Sequence, residues 1–216
     1  MSEARRLILD RVKAALAILP EKQPLPEYPA DVAVARGARG PGDAVARFRE
    51  ALESVRGRSF IDPAALGAWL REQRATRGYC DPALTAWLAT ALGAGFTLEA
   101  TLDRERIDDY QFGITRAWGA IAETGSLILD DATTSRRLGA LAPWIHIAVV
   151  NPARILPDVG SAIAALGDDP NVIFCTGPSK TADVEGILIE GVHGPGEQIA
   201  LLDCRRSAHD TWRPDT

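Results

Sequence analysis

Apolar residues first recur at helical spacing, with Leu7, Ile8, Val12, Leu16 and Leu19 forming one stripe among Arg5, Arg6, Arg11 and Lys13. That pattern predicts an amphipathic helix over residues 2 to 19. Five prolines (Pro20, Pro24, Pro26, Pro29, Pro41) and three glycines (Gly37, Gly40, Gly42) make residues 20 to 42 an extended connection. The helix suits packing against a partner chain as well as against its own domain. A second helix is expected from Asp43 through Val55, with Val45, Phe48, Leu52 and Val55 inward and Gly57 closing it. Asp62-Pro63 and Asp81-Pro82 then repeat one device, an aspartate cap followed by proline at the first helical position. They open helices near 63 to 75 and 82 to 92. Short apolar stretches, Ser59-Phe60-Ile61 and Gly78-Tyr79-Cys80, precede them. Strand, helix, strand, helix points to parallel β-α units, and Trp69 and Trp87 read as core or interface anchors.

Residues 93 to 113 are harder to parse. A strand is expected at Phe96-Thr97-Leu98, and the mixed charges of Asp103-Arg104-Glu105-Arg106 with Asp108-Asp109 suit a solvated surface without an assigned function. Beyond them, Ala120-Ile121-Ala122 and Leu127-Ile128-Leu129 flank Glu123-Thr124-Gly125-Ser126, which has the composition of a hairpin turn with Gly125 at positive φ. Arg136 and Arg137 could clamp a carboxylate or phosphate bidentately, or simply be solvated. Ile145 to Val150 form a buried-type strand containing His146, either an acid or base near neutral pH or a hydrogen-bonded core histidine. After Asn151-Pro152, a helix is expected from Ile155 to Leu166 with Val159, Ile163 and Leu166 inward. Strands at 172 to 175 and 198 to 203 complete a βαβαβ half. Right-handed crossovers would place the loops after 150 and 176 on the ligand-binding sheet edge. The expected architecture is a mainly parallel twisted α/β sheet with flanking helices. It divides into an N-terminal helix and connection (1–42), an α/β domain (43–203) and a polar tail (204–216).

The stretch Gly177-Pro178-Ser179-Lys180-Thr181-Ala182-Asp183-Val184-Glu185 carries the most candidate chemistry. Val184, Ile187, Leu188 and Gly191 continue it at helical spacing, so Ser179 or Thr181 would cap a helix whose first amides, with Lys180, form an anion site. Ordinary capping explains the same residues equally well. If the turn at Thr124, Gly125 and Ser126 faces this loop, a cleft results with Glu123 on one wall and Lys180 on the other. Gly177, Ser179, Thr181, Asp183 and His193 would supply further contacts. Glu123, His146 and Lys180 are the catalytic candidates.

This loop, with Gly191-Val192-His193-Gly194-Pro195, resembles the C-terminal signature of the LUD-domain family. Ile114-Thr115, Ala120 to Leu129 and Leu141 to Val150 resemble its central signature. The resemblance covers about residues 112 to 203. It implies the fold shared by ribose-5-phosphate isomerase, glucosamine-phosphate deaminase and coenzyme A transferases. It also implies a cluster-free subunit in oxidation of L-lactate to pyruvate, working with iron–sulfur partner proteins and binding a small anionic ligand. Phosphosugar isomerases, coenzyme A transferases and formyltetrahydrofolate cyclo-ligases share that fold, so a stand-alone enzyme is an alternative, with Glu123 as base or nucleophile and Lys180 as oxyanion or phosphate partner. A non-catalytic assembly subunit is another.

Composition narrows the classes. The 216 residues are 46% hydrophobic and 25% charged with a net charge of -5, which disfavours a nucleic-acid platform or polybasic membrane binder. No apolar run reaches the ~20 residues of a membrane helix and no secretory signal is evident, so a cytoplasmic location is expected. Cys80, Cys175 and Cys204 form no Cys-x-x-Cys pair, and His146, His193 and His209 are scattered. No metal site and no iron–sulfur cluster bound by this chain alone are expected, and a homo-oligomer remains open.

Overall fold

The computed structural model describes residues 3–18, 43–131, 133–134, 136–166, 171–182 and 188–205. It divides into two units, Met1–Ala35 and Arg36–Thr216. The first contains helix α1 (Glu3–Leu16), which matches the N-terminal apolar stripe.

In the second unit, the aspartate caps work as expected. Helix α2 (Ala44–Ser54) begins at Asp43, α3 (Pro63–Glu72) at Asp62 and α4 (Pro82–Ala91) at Asp81. In each, the aspartate side chain accepts from the backbone amide two residues on, satisfying one donor that the first helical turn leaves open. Between them run β1 (Arg58–Phe60) and β2 (Arg77–Cys80), and β3 (Thr97–Glu99) follows. The stretch that resisted sequence reading ends in a strand, β4 (Phe112–Arg116). After it come β5 (Gly119–Ile121), β6 (Ser126–Asp130), the short helix α5 (Arg137–Leu141) and β7 (Ile145–Val150).

The segment expected as one helix over 155 to 166 is instead a two-residue strand, β8 (Ile155–Leu156), followed by α6 (Val159–Ala165). β8 pairs with β5, and Asp158 caps the shortened helix through the Ser161 amide. The inward face changes accordingly, because Ala162 is buried while Ile163 is 60% exposed. The remaining strands are β9 (Val172–Cys175), β10 (Lys180–Ala182), β11 (Leu188–Glu190) and β12 (Glu197–Leu202).

Six strands form an all-parallel sheet in the order β1-β12-β7-β4-β2-β3. Its central strands are buried on both faces. Ile145, Ile147 and Val149 of β7 join Leu66, Leu70, Leu84 and Leu88 of α3 and α4. The alternate residues Ala148 and Val150 join Phe48 and Leu52 of α2 and Leu127 and Leu129 of β6. That two-sided burial explains the unbroken apolar run at 145 to 150. Phe60, Trp69 and Trp87 pack on the edge of the first core.

A second sheet has the order β8-β5-β6-β9, with β6 antiparallel to both neighbours. Here the βαβαβ expectation is corrected. β9 does not join β7 and β12 but pairs with β6, so the loop after 176 lies off the parallel sheet's edge. A run of four apolar residues fits either sheet, and pairing with the hairpin strand decides it.

Candidate functional site

Among the described residues after Ser179 the backbone is strand, not the expected helix. Lys180–Ala182 and Leu188–Glu190 pair as an antiparallel hairpin, Lys180 opposite Glu190 and Thr181 opposite Ile189. The apolar spacing from 184 to 191 was too short to distinguish helix from strand, and backbone pairing between β10 and β11 settles it. Gly191, expected to continue the helix, has φ +79° and packs where a Cβ would lie 2.2 Å from the Trp144 ring. Among the described residues Ser179 and Thr181 cap no helix, and residues 180–182, as a strand, form no helix start with its dipole. Asp183 lies outside the described residues.

What the structure does gather is a polar knot around the last turn of α2. Thr124 Oγ1 and Ser126 Oγ lie 2.6 Å apart, and Ser126 Oγ and Thr176 Oγ1 2.7 Å apart. The turn and the loop thus meet through hydroxyls. Gly125, at φ +66°, abuts α2 so closely that a Cβ would fall 2.2 Å from the Leu52 amide nitrogen. Gly177, at φ +73°, approaches the Val55 carbonyl oxygen to 2.3 Å from the same imagined atom. Lys180 Nζ donates to that carbonyl at 3.1 Å. A cation there complements the negative end of the α2 dipole.

The other candidates disperse. Glu123 accepts from the Val159 amide at 3.3 Å, at the first residue of α6. The Ser179 amide donates to the Pro195 carbonyl, and the Ser179 carbonyl accepts from the Gly191 amide. His193 is exposed in the loop that follows β11. His146 is wholly buried, with Nε2 2.9 Å from Thr115 Oγ1 and Nδ1 3.0 to 3.1 Å from the Gln198 amide group. Burial lowers its pKa to about 4, which keeps it neutral near pH 7, and the bond to Gln198 opposes that shift. His146 is the hydrogen-bonded core histidine of the two readings.

Beside the knot lies a cleft of about 650 Å³ lined by Arg49, Arg56 and Arg58 and by Glu50, Glu53, Glu190 and Glu197. Its cations are already engaged. Arg56 pairs with Glu190 at 2.8 Å, Arg58 with Glu197 at 3.5 Å, and Arg49 donates to Ser59 Oγ at 2.9 Å.

The parallel sheet directs attention to its opposite edge. β2 leads into α4 on one face, whereas β4 leads into the β5–β6 hairpin on the other. Adjacent strands whose connections diverge open a crevice at their carboxyl ends, where open α/β sheets bind ligands. Asp81 and Arg116, at the ends of β2 and β4, form an ion pair of 2.8 Å there, with side chains 0% and 13% exposed. On one side, Pro82, which follows Asp81, lines a cavity of about 330 Å³ with Tyr79, Thr101, Leu102 and Arg136. On the other, Thr134 donates to the Arg116 carbonyl at 2.9 Å and lines a cleft of about 690 Å³ with Leu102, Arg104, Asp131, Arg136 and Arg137. Leu102 and Arg136 border both. The sequence read Asp81 only as a cap and Arg104 only as surface charge. The pairing of Asp81 with Arg116 depends on β2 and β4 being neighbours, and the sequence expectation set no strand over 112 to 116.

Among the described residues, no three or more His, Cys, Asp or Glu side chains are grouped to hold a metal. No described helix is long and apolar enough to cross a membrane.

Comparison with known proteins bears on these observations. Lactate utilization protein C of Deinococcus radiodurans is 34% identical over 102 residues, covering 45% of this chain and 48% of that protein. Its namesake in Bacillus licheniformis is 33% identical over 99 residues, 42% of this chain and 41% of that protein. That in Bacillus subtilis is 31% identical over 106 residues, covering 45% and 44%. The chain thus spans less than half the length of these curated relatives. A solved structure of a DUF162 family protein from Deinococcus radiodurans superposes with a TM-score of 0.55 at 22% identity, over 74% of this chain and 96% of that one, a likeness of fold. The family model described as LUD domain matches residues 85–202, from within α4 to the end of β12. That span exceeds half of the 216 residues, and the chain belongs to the LUD domain family.

Proposed function

We propose that this chain acts in lactate utilisation as a subunit that carries no cluster of its own and binds a small anion. The relatives named lactate utilization protein C support the pathway. The observation that carries the reading is the extent of the family match. Residues 85–202 include Arg104, Arg116, Thr134, Arg136 and Arg137, so the polar carboxyl edge of the sheet lies mostly inside it.

Oxidation of L-lactate to pyruvate releases two electrons and two protons. In this proposal the electrons pass to iron–sulfur partner proteins, and this chain binds and orients the carboxylate. Deleting the coding gene in its host should abolish or strongly slow growth on L-lactate as sole carbon source, with growth on glucose unchanged, and the wild-type gene should restore it. A tagged copy should co-purify with proteins showing iron–sulfur absorbance. A deletion strain growing on lactate at the parental rate would remove the reading.

A further inference from the structure

The geometry points to the cleft between Arg104 and Arg136 as a binding site for a short 2-hydroxy or 2-oxo carboxylate, with Arg136 as the clamp. The inference rests on the lactate-utilisation reading for the choice among carboxylates, and on the structure for the site.

Charge accounting separates this cleft from the other large one. At the α2 cleft, three arginines face four glutamates and are engaged in the contacts described above. In the Arg104–Arg136 cleft, three arginines line the wall with one carboxylate, Asp131. Both oxygens of that carboxylate are occupied, Oδ1 by Arg137 Nε at 2.8 Å and Oδ2 by Asn171 Nδ2 at 2.8 Å. Arg104 and Arg136 have no ion-pair partner among the described residues. Similar volumes, about 650 and 690 Å³, leave charge as the discriminating property. In a chain of net charge -5, two guanidiniums left available across one cleft form a local positive field.

The remaining wall defines the ligand. Leu102, Leu138 and Leu141 present apolar carbon, and Thr134 is the neutral polar residue of the lining. One guanidinium for the carboxylate, the second for the adjacent hydroxyl or keto oxygen, and an apolar wall for a short carbon chain match a small 2-substituted acid, while the Thr134 hydroxyl proton stays with the Arg116 carbonyl. Inorganic phosphate could satisfy the guanidiniums but would gain nothing from the leucines. The cleft also lies beside the switch point. Its Thr134 is bonded to the main chain of Arg116, whose side chain is held by Asp81, so the loop bearing Arg136 is tied to the sheet.

The purified full chain would be titrated by calorimetry with L-lactate, pyruvate, phosphate and chloride at one ionic strength. Lactate or pyruvate should bind measurably and more tightly than phosphate or chloride. Arg136→Gln should weaken that binding roughly ten- to a hundredfold, the loss expected when charge-assisted hydrogen bonds to a carboxylate are removed. Arg136→Lys should recover only part of it, because an ammonium lacks the bidentate fork. Lys180→Ala, in the β10–β11 hairpin beside α2, should bind like wild type. Thermal melts without ligand would verify that each variant folds. Binding unchanged in Arg136→Gln would overturn the site, as would no binding of any carboxylate by the folded wild type. Phosphate or chloride binding as tightly as lactate would overturn the ligand assignment. A gene that restores growth on lactate while its product binds none of these anions would fail the site alone. A product that binds lactate but whose loss leaves growth unchanged would fail the pathway reading alone.

Discussion

His146 shows how the same residue type can take opposite roles according to its surroundings. An imidazole in solution titrates near pH 6.5, but here it sits between Thr115 and Gln198 without access to water, and burial brings its pKa down to about 4. The unfolded chain therefore takes up a proton on this group between pH 6.5 and 4 while the folded chain does not. Its contribution to stability is intact above the unfolded pKa and is lost as pH falls through that window, by up to about 3 kcal/mol. Unfolding free energies from urea titrations at pH 7, 5.5 and 4.5 should show this loss. In His146→Gln the component of the slope due to this residue should vanish, although the variant starts less stable. A pH slope identical in the variant and wild type would mean that His146 is not the group responsible. Cys80 is the parallel case among thiols, since burial pushes its pKa up to about 12 and leaves it a small apolar core residue.

Among the elements, the turn at Gly125 depends on backbone shape more than on polar chemistry. Its φ of +66° and its contact with the α2 backbone leave no room for a side chain. Gly125→Ala should cost roughly 2–4 kcal/mol, because left-handed strain adds to displacement of helix α2. Lys180→Ala, which removes one exposed bond to the Val55 carbonyl, should cost under about 1 kcal/mol. Chemical denaturation of both variants would check the ranking, and equal losses would refute it. These two residues also show where sequence reasoning reaches and where it stops. The turn at 123 to 126 and the three aspartate-capped helices were legible because each signal is local: a cap, a proline, or a glycine between two apolar runs. The hairpin formed by β10 and β11 was not, because a few apolar residues at ambiguous spacing take their state from whichever strand they pair with. Ser179 leads into, and Lys180 opens, a strand where a helix start was expected.

At the scale of the whole molecule, the strand order assembles the site. The sequence yielded parallel β-α units, but not which strands become neighbours, and the carboxyl-edge crevice exists only because β2 and β4 adjoin while their connections leave on opposite faces. Asp81 spans that boundary. One carboxylate oxygen caps α4 through Ala83, and the other holds Arg116 across the crevice at 2.8 Å. A residue serving both a helix start and an inter-strand ion pair couples the two halves of the parallel sheet. Asp81→Ala should therefore cost more than a cap alone. Loss of the cap accounts for about 1 kcal/mol, and removing the carboxylate that faces the largely buried Arg116 charge raises the total to about 2–4 kcal/mol. Asp62→Ala, a cap without an ion pair across the sheet, supplies the internal comparison at about 1 kcal/mol. Denaturant titration of the two variants, with the double variant Asp81→Ala/Arg116→Leu as a third, would test the coupling. Removing the second charge should recover part of the loss, since the largely buried cation that lost its carboxylate is then gone too. If Asp81→Ala proves no worse than Asp62→Ala, the pair contributes nothing to holding the crevice together, and Arg116 is held as well without Asp81.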